Sequence, residues 1–307
     1  MKRFRNLVYH FSLELGLFYI LPLIVRLPKP FSKAFLKLKT YIRFSLGSYR
    51  AYIDRPYLKE IAIKNLMDTL GLSKENARNK LFCLMQLEVF AERNGYLFDF
   101  YTLSDLDNYF TIHGIDNIEN ELNKGKGVIF ATIHSGDTVL LILFLSLKGY
   151  NVYGLFDEGI KYKKSKNPLE KFAKLKDEKI TGKIGKLYSG KGMMKLFHVL
   201  NKNAIIFWMV DLPAPNVKRK IPVNFLGKTI EVSNSFLDVA AKTGASLLPH
   251  INIYDCKNDR HEVYIGSPLN LTKNTIQDLF CFYEPYIRKF PESWFGWYFF
   301  DMFKKDN

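Results

Sequence analysis

The sequence predicts an α/β fold: a mixed, mostly parallel sheet flanked by helices, with an N-terminal helical membrane-associating region ahead of it. Three observations predict it. From about residue 128, short apolar runs alternate with helix-length segments, and the connections are short and carry glycine. Hydrophobic residues fill 48% of the 307 positions, enough for a sizeable core and too many for disorder. The first 50 residues stand apart, with an apolar stretch between basic flanks and then an amphipathic one. The expected division is residues 1–50, membrane-associating helices, and residues 51–307, a single α/β domain.

The elements follow in order. Leu7 to Val25 is largely apolar, interrupted by Glu14 and Pro22 and closed by Arg26 and Lys29. A spanning helix needs about 20 apolar residues, so a span here is marginal. Basic residues on both flanks favour keeping both ends on the cytoplasmic side, and no small-x-small cleavage site is present. "FSKAFLKLKTYIRF" then puts Phe31, Phe35, Leu38 and Ile42 on one helical stripe, with Lys33, Lys37 and Arg43 elsewhere. That pattern suits a helix lying in a membrane interface; a buried helix pair is the alternative. Residues 55–95 read as two helices, the second capped by Ser73 and stopped at Gly95. "FTIHGIDNIENELNKGKG" reads as a short strand and a short polar helix. "VIFATIH" is a fully apolar strand, "DTVLLILFLSLKG" a buried helix, and "YNVYGLF" a strand. Residues 161–195 read as helix and loop, "AIIFWMVD" as strand, and "VSNSFLDVAAKTG" as a helix capped by Ser233 or Asn234. "SLLPHINIYD" and "HEVYIGSPLNL" are strands, and "TIQDLFCFYEPYIRKFP" closes as helix.

Charge narrows the partners. The net charge is +15, and it is concentrated. Residues 1–50 hold ten Lys and Arg against Glu14; residues 161–195 hold twelve Lys against Glu170, Asp177 and Glu178. Two basic regions on a near-neutral body suit phosphate-bearing ligands, an acidic carrier protein or an anionic membrane surface. No nucleic-acid module is recognisable. Cys83, Cys256 and Cys281 are odd in number and widely spaced, so neither a disulfide framework nor a metal site follows and a reducing compartment is expected.

The chemistry collects at "VIFATIHSGDTVLLILF". The apolar strand breaks at His134, and Asp137 stands three residues on, where a helix begins. In a parallel sheet, ligands gather at the carboxyl ends of the strands. An imidazole there can take a proton from an attacking hydroxyl or amine, a carboxylate can orient the ring, and helix-end amides can receive an oxyanion. Those parts serve acyl transfer. Plain helix capping is the competing reading of Asp137, and a core histidine that of His134.

Five blocks of the chain resemble the lauroyl/myristoyl acyltransferases of late lipid A synthesis, within the lysophospholipid acyltransferase superfamily. They are "GIDNIENELNKGKGVIFATIHSGD", "KSKNPLEKF", "MMKLFHVLNKNAIIFWMVDLPAP", "IPVNFLGKTIEVSNSFLDVAAKTGASLLPHI" and "KFPESWFGWYFFDMFK", and the resemblance runs from about residue 10 to residue 300. It implies a membrane-associated acyltransferase at the cytoplasmic face of a bacterial inner membrane, peripheral or held by a single N-terminal anchor, in lipopolysaccharide or glycolipid biosynthesis. The donor would be an acyl thioester on acyl carrier protein or coenzyme A, the acceptor a lipid or glycolipid hydroxyl or amine. No cofactor or metal is needed.

One departure stands out. The family's acid lies five residues after the histidine, and here that place is Val139, with Asp137 where an asparagine is usual. Three explanations are open. Asp137 supplies the carboxylate; or another acid near a strand end, Asp157, Glu158 or Asp211, does; or the chain is a catalytically degenerate lipid-binding relative. The first ranks highest. The lysine block, Lys161, Lys163, Lys164, Lys183, Lys186 and Lys191, stands where the family tends to use arginine, and is expected to bind the donor's phosphopantetheine end or an anionic acceptor. Within "FLGKTIE", Gly227, Lys228 and Thr229 are expected to line the groove, a plain hairpin being the alternative. Asp211 is expected near the substrate. Trp294, Trp297 and Tyr298 are expected at the lipid headgroup level or in the core.

Overall fold

The computed structural model describes residues 14–46, 58–156, 168–181, 183–188, 193–211 and 220–303. Lys161, Lys163, Lys164, Lys191, Asp157 and Glu158 lie outside the described residues.

The N-terminal region begins with a π-helical turn, Gly16–Ile20, that runs into α1 (Leu21–Ile24), with Pro22 in its first turn, and then α2 (Lys29–Leu46). Two helices follow, α3 (Leu58–Leu70) and α4 (Lys74–Leu97). Ser73 caps α4 as expected, its Oγ accepting from the Asn76 amide at 3.2 Å. Gly95 does not stop the helix. It lies inside α4, where a Cβ would sit 2.5 Å from the Lys176 stem, so the glycine admits a neighbouring side chain. Short α5 (Leu103–Asp107) leads to β1 (Phe110–His113) and α6 (Ile115–Leu122).

The α/β part then alternates: β2 (Val128–Thr132), α7 (Thr138–Leu147), β3 (Val152–Phe156), α8 (Pro168–Thr181), β4 (Gly185–Tyr188), α9 (Met193–Leu200) and β5 (Ile205–Met209). A two-stranded antiparallel hairpin, β6 (Lys220–Phe225) and β7 (Lys228–Ser233), stands apart from the main sheet. The chain closes with α10 (Ser235–Thr243), β8 (Ser246–Asp255), β9 (Arg260–Ile265), α11 (Thr275–Lys289) and 3-10 turns from Pro291 to Phe303. The sheet has seven strands in the order β1-β9-β8-β2-β5-β3-β4. Only β8 and β9 pair antiparallel; the other neighbours are parallel. The mixed, mostly parallel sheet is as expected, but β4 was hidden in the lysine-rich stretch, where a four-residue edge strand leaves little pattern.

β2 is buried at all five positions because both faces of the sheet are covered. Val128 and Phe130 face the apolar mass under α7. Ile129, Ala131 and Ile133 face the opposite mass, built from α3, α4, α10, α11 and the C-terminal aromatics. Leu17, Leu21, Ile24 and Leu36 join that second mass, so one side of the N-terminal region packs on the core. The predicted stripe lies on its other side. Phe31, Phe35, Leu38 and Ile42 are exposed, with Tyr19, Leu23 and Tyr41 beside them. Among the described residues no helix is long and apolar enough to cross a membrane.

Trp294, Trp297 and Tyr298 are buried at 1%, 0% and 3% exposure, so of the two placements expected they take the core. Trp294 packs edge-on against Trp297, Phe225 and Phe300.

Candidate active site

The site forms where β2 and β5 end side by side. Their register pairs Thr132 with Met209, and Val210 continues the ladder by donating to the Thr132 carbonyl at 2.8 Å. His134 and Asp211 each lie two residues beyond their paired positions, so the parallel geometry delivers them to the same level on neighbouring chains. The imidazole Nδ1 lies 2.7 Å from Asp211 Oδ1. The His134 backbone N–H donates to Asp211 Oδ2 at 2.9 Å, and the Trp294 indole N–H donates to that same oxygen at 2.8 Å.

The exposures differ in a telling way: the Asp211 side chain is 1% exposed and the His134 ring 32%. An ionised carboxylate accepts only, so its bond to Nδ1 selects the tautomer with the proton on Nδ1. Nε2, across the ring from Nδ1, then holds the lone pair, on a side chain that is partly exposed. That is the arrangement a general base needs.

The loop from Ile133 to Asp137 is held on several sides. The C-terminal segment pairs with it at Ser135 and Trp294. Gly136 donates to the Ser293 carbonyl, and Phe295 donates to the His134 carbonyl, both at 2.9 Å. Ser135 Oγ accepts from the Asn252 amide at 3.1 Å. Gly136 has φ +59°, and a Cβ there would fall 2.4 Å from Asn252 Cγ, so both conformation and space call for glycine.

Asp137, ranked first as the orienting acid, is occupied elsewhere. One oxygen caps α7 by accepting from the Leu140 amide at 3.1 Å. The other accepts from Asn94 Nδ2 at 2.8 Å. Asn94 Oδ1 in turn takes the Tyr101 hydroxyl and Arg93 Nε, and Arg93 pairs with Asp259 at 3.1 Å. Asp137 thus ties the loop to a buried network on α4, and the carboxylate beside the imidazole is that of Asp211. Val139 sits in the first turn of α7, half-buried against the apolar mass beneath that helix.

The two buried histidines of the sheet are not alternative bases. His250, bonded to Thr132 Oγ1 at 2.9 Å, is held down to about 3 by complete burial. His261 is held down to about 4, again by burial, with the Asp137 charge opposing it. Both stay neutral in the core.

The other sequence-predicted residues divide. Lys183 donates to the Asp99 carbonyl at 2.7 Å. Lys186 is buried on β4 with its ammonium 5.1 Å from the centre of the Phe156 ring. Further along the basic run, Lys171 pairs with Glu14, Lys174 with Glu178 and Lys179 with Asp99. Gly227, Lys228 and Thr229 form the hairpin end. Lys228 reaches Thr69 Oγ1 at 3.0 Å and lies over Phe300, while Thr229 bonds Asn224. The hairpin is fixed to α11 through Gln277 and Glu284.

Sequence reasoning missed Ser293 and Trp294 as parts of the site. Their only signal was the Pro-Glu-x-Trp block, which says nothing of where an indole points. Asn94 carried no signal. Among the described residues no group of three or more His, Cys, Asp or Glu can hold a metal.

Comparison with known proteins gives the family. A comparison with curated proteins found no match. Among solved structures, the 1-acyl-sn-glycerophosphate (LPA) acyltransferase from Thermotoga maritima is similar at 13% identity and a TM-score of 0.36, over 84% of this chain and 96% of that one. The model of the bacterial lipid A biosynthesis acyltransferases matches residues 15–305. The chain therefore belongs to the bacterial lipid A biosynthesis acyltransferase family, enzymes that transfer acyl groups to lipids.

Proposed function

We propose that this enzyme moves a fatty acyl group from an acyl thioester, on acyl carrier protein or coenzyme A, to a hydroxyl or amine of a lipid or glycolipid. His134 is the general base and Asp211 its orienting acid. His134 Nε2 takes the proton from the acceptor as its oxygen or nitrogen attacks the thioester carbonyl. The oxyanion that forms is received by amides at the start of α7, where helix N–H groups precede the intrahelical ladder. Collapse breaks the carbon–sulfur bond, and the imidazolium returns the proton to the departing sulfur. Asp211 remains ionised and stabilises the imidazolium meanwhile. The observation that carries this reading is the 2.7 Å contact between Nδ1 and Asp211 Oδ1. The acid absent at Val139 is supplied across the sheet, from the end of β5.

The same reading places the enzyme at the cytoplasmic face of a bacterial inner membrane. The outward apolar face of α1 and α2 supports it, since Phe31, Phe35, Leu38 and Ile42 are held outward while Leu36 is fully buried behind them. Basic residues on α2 add attraction to anionic lipid. Lys186, and Lys161 and Lys164 outside the described residues, are assigned to the donor's phosphates or an anionic acceptor.

The alternative, a degenerate lipid-binding relative, rests on Val139 alone. Replacing His134 by Ala separates the two. With radiolabelled dodecanoyl-coenzyme A and vesicles of total bacterial lipid, transfer should fall by about 10²–10⁴-fold. Equal transfer by the wild type and H134A would remove the base from the mechanism.

A further inference from the structure

The hydrogen bonds around Asp211 carry one step further, resting on the His134–Asp211 reading. We propose that Trp294 is a positioning residue of the reaction: its indole N–H fixes the Asp211 carboxylate that steers His134, which makes the C-terminal segment part of the active-site machinery.

Three observations converge. First, Asp211 is buried and bonded to three donors. Oδ1 faces the ring, while Oδ2 takes both the His134 amide and the indole at 2.9 and 2.8 Å. A carboxylate on an unbranched stem can rotate about its own axis. Donors on both oxygens hold it in one plane, and the indole is the only one of the three that comes from outside His134. Second, the indole cannot drift. Trp294 is 1% exposed, and edge-on contacts with Phe225, Trp297 and Phe300 hold the ring. Adjacent Gly296 leaves it room, since a Cβ there would lie 2.0 Å from the indole. Third, the backbone beside it is bonded to the histidine loop in register, through Gly136 to Ser293 and Phe295 to His134. The segment thus fixes the base's backbone and its acid's side chain together. A buried indole N–H needs an acceptor, and here the acceptor is the carboxylate beside His134, which couples the packing of the ring to the site.

The indole also shares the carboxylate's charge. Withdrawing it leaves Asp211 a stronger acceptor toward the imidazolium and freer to rotate. The first effect favours the protonated ring; the second costs alignment.

The deciding experiment is NMR on the full-length protein in detergent micelles, with labelled tryptophan and histidine, in the wild type, D211N and W294F. In the wild type, the Trp294 indole proton should move with pH in step with the His134 ring, and its exchange with solvent should be slow. In D211N that coupling should vanish. An indole proton indifferent to the His134 titration would overturn the proposal, and this arm needs only the wild-type fold. W294F then supplies kinetics: kcat lower by about tenfold, KM within about twofold, and the acid limb of the pH–rate profile moved to higher pH. A fall in kcat matched by lost thermal stability, with the acid limb unmoved, would make Trp294 structural only. Retained transfer by H134A would instead sink the His134 reading itself, so the two failures are distinguishable.

Discussion

At the scale of single residues, the site is a matter of which carboxylate reaches the ring. His134 stood out because a fully apolar strand ends there in an imidazole before a glycine and a helix cap, with a core histidine as the competing reading. Asp211 was visible only as one of several acids near strand ends. What would have selected it is register: His134 and Asp211 each stand two residues past paired positions in parallel neighbours. That pairing is a tertiary fact, which no local pattern encodes. Asp137 attracted attention by proximity, yet its capping role was the ordinary one for an acid before a helix. Replacing it by Ala should cost about 1–3 kcal/mol, from the lost cap and the Asn94 amide left unpaired, read as a lower midpoint in urea denaturation. An unchanged midpoint would remove the network from α4 as a support of the loop. Gly136→Ala should cost about 2 kcal/mol or more, since the added Cβ meets Asn252 in a backbone conformation that resists side chains.

At the scale of elements, α2 shows how one periodicity leaves two readings open. The stripe at Phe31, Phe35, Leu38 and Ile42 was plain in the sequence, but an apolar stripe does not say whether protein or lipid covers it. The opposite side settles the orientation. Leu36 enters the core, and Lys39 and Arg43 both reach Glu92 on α4, at 2.9 and 2.7 Å. Burial pushes the Glu92 carboxyl up, but Arg43 and Lys39 outweigh it and hold it below its usual range. Removing the carboxylate takes the acceptor from both bonds, so E92A should destabilise by about 3 kcal/mol and loosen α2, measurable as faster amide exchange across residues 29–46. F35E with L38E tests the outward face. Binding to anionic-lipid vesicles should drop at least tenfold while thermal stability stays unchanged. Loss of stability with binding intact would mean the stripe is covered by protein. Elements with weak patterns were harder to see: β4 is short and lies at the sheet edge, and the β6–β7 hairpin was open between groove lining and a plain hairpin, with no sign of its docking on α11.

At the scale of the whole molecule, two buried neutral histidines set an acid limit. His250 is held to about 3 and His261 to about 4, against 6.5 when free. Between about pH 6.5 and 4 the unfolded chain therefore binds protons that the folded chain refuses. Stability is full above pH 6.5 and falls as pH falls, by about 3 kcal/mol for each histidine at pH 4. Urea midpoints at pH 7 and pH 5 should differ accordingly; equal midpoints would mean the rings are protonated in the fold or reach water. The fold class was legible from alternation, while the contact between His134 and Asp211 depended on strand ends brought together from 77 residues apart. The most direct measurement of the central claim is the acyl-transfer rate of D211N beside D137N, each with its melting curve. The account predicts a loss of about 10²–10⁴-fold in D211N with the fold intact, and a rate within about tenfold of wild type in D137N. Full activity in D211N with collapse of activity in a folded D137N would contradict it.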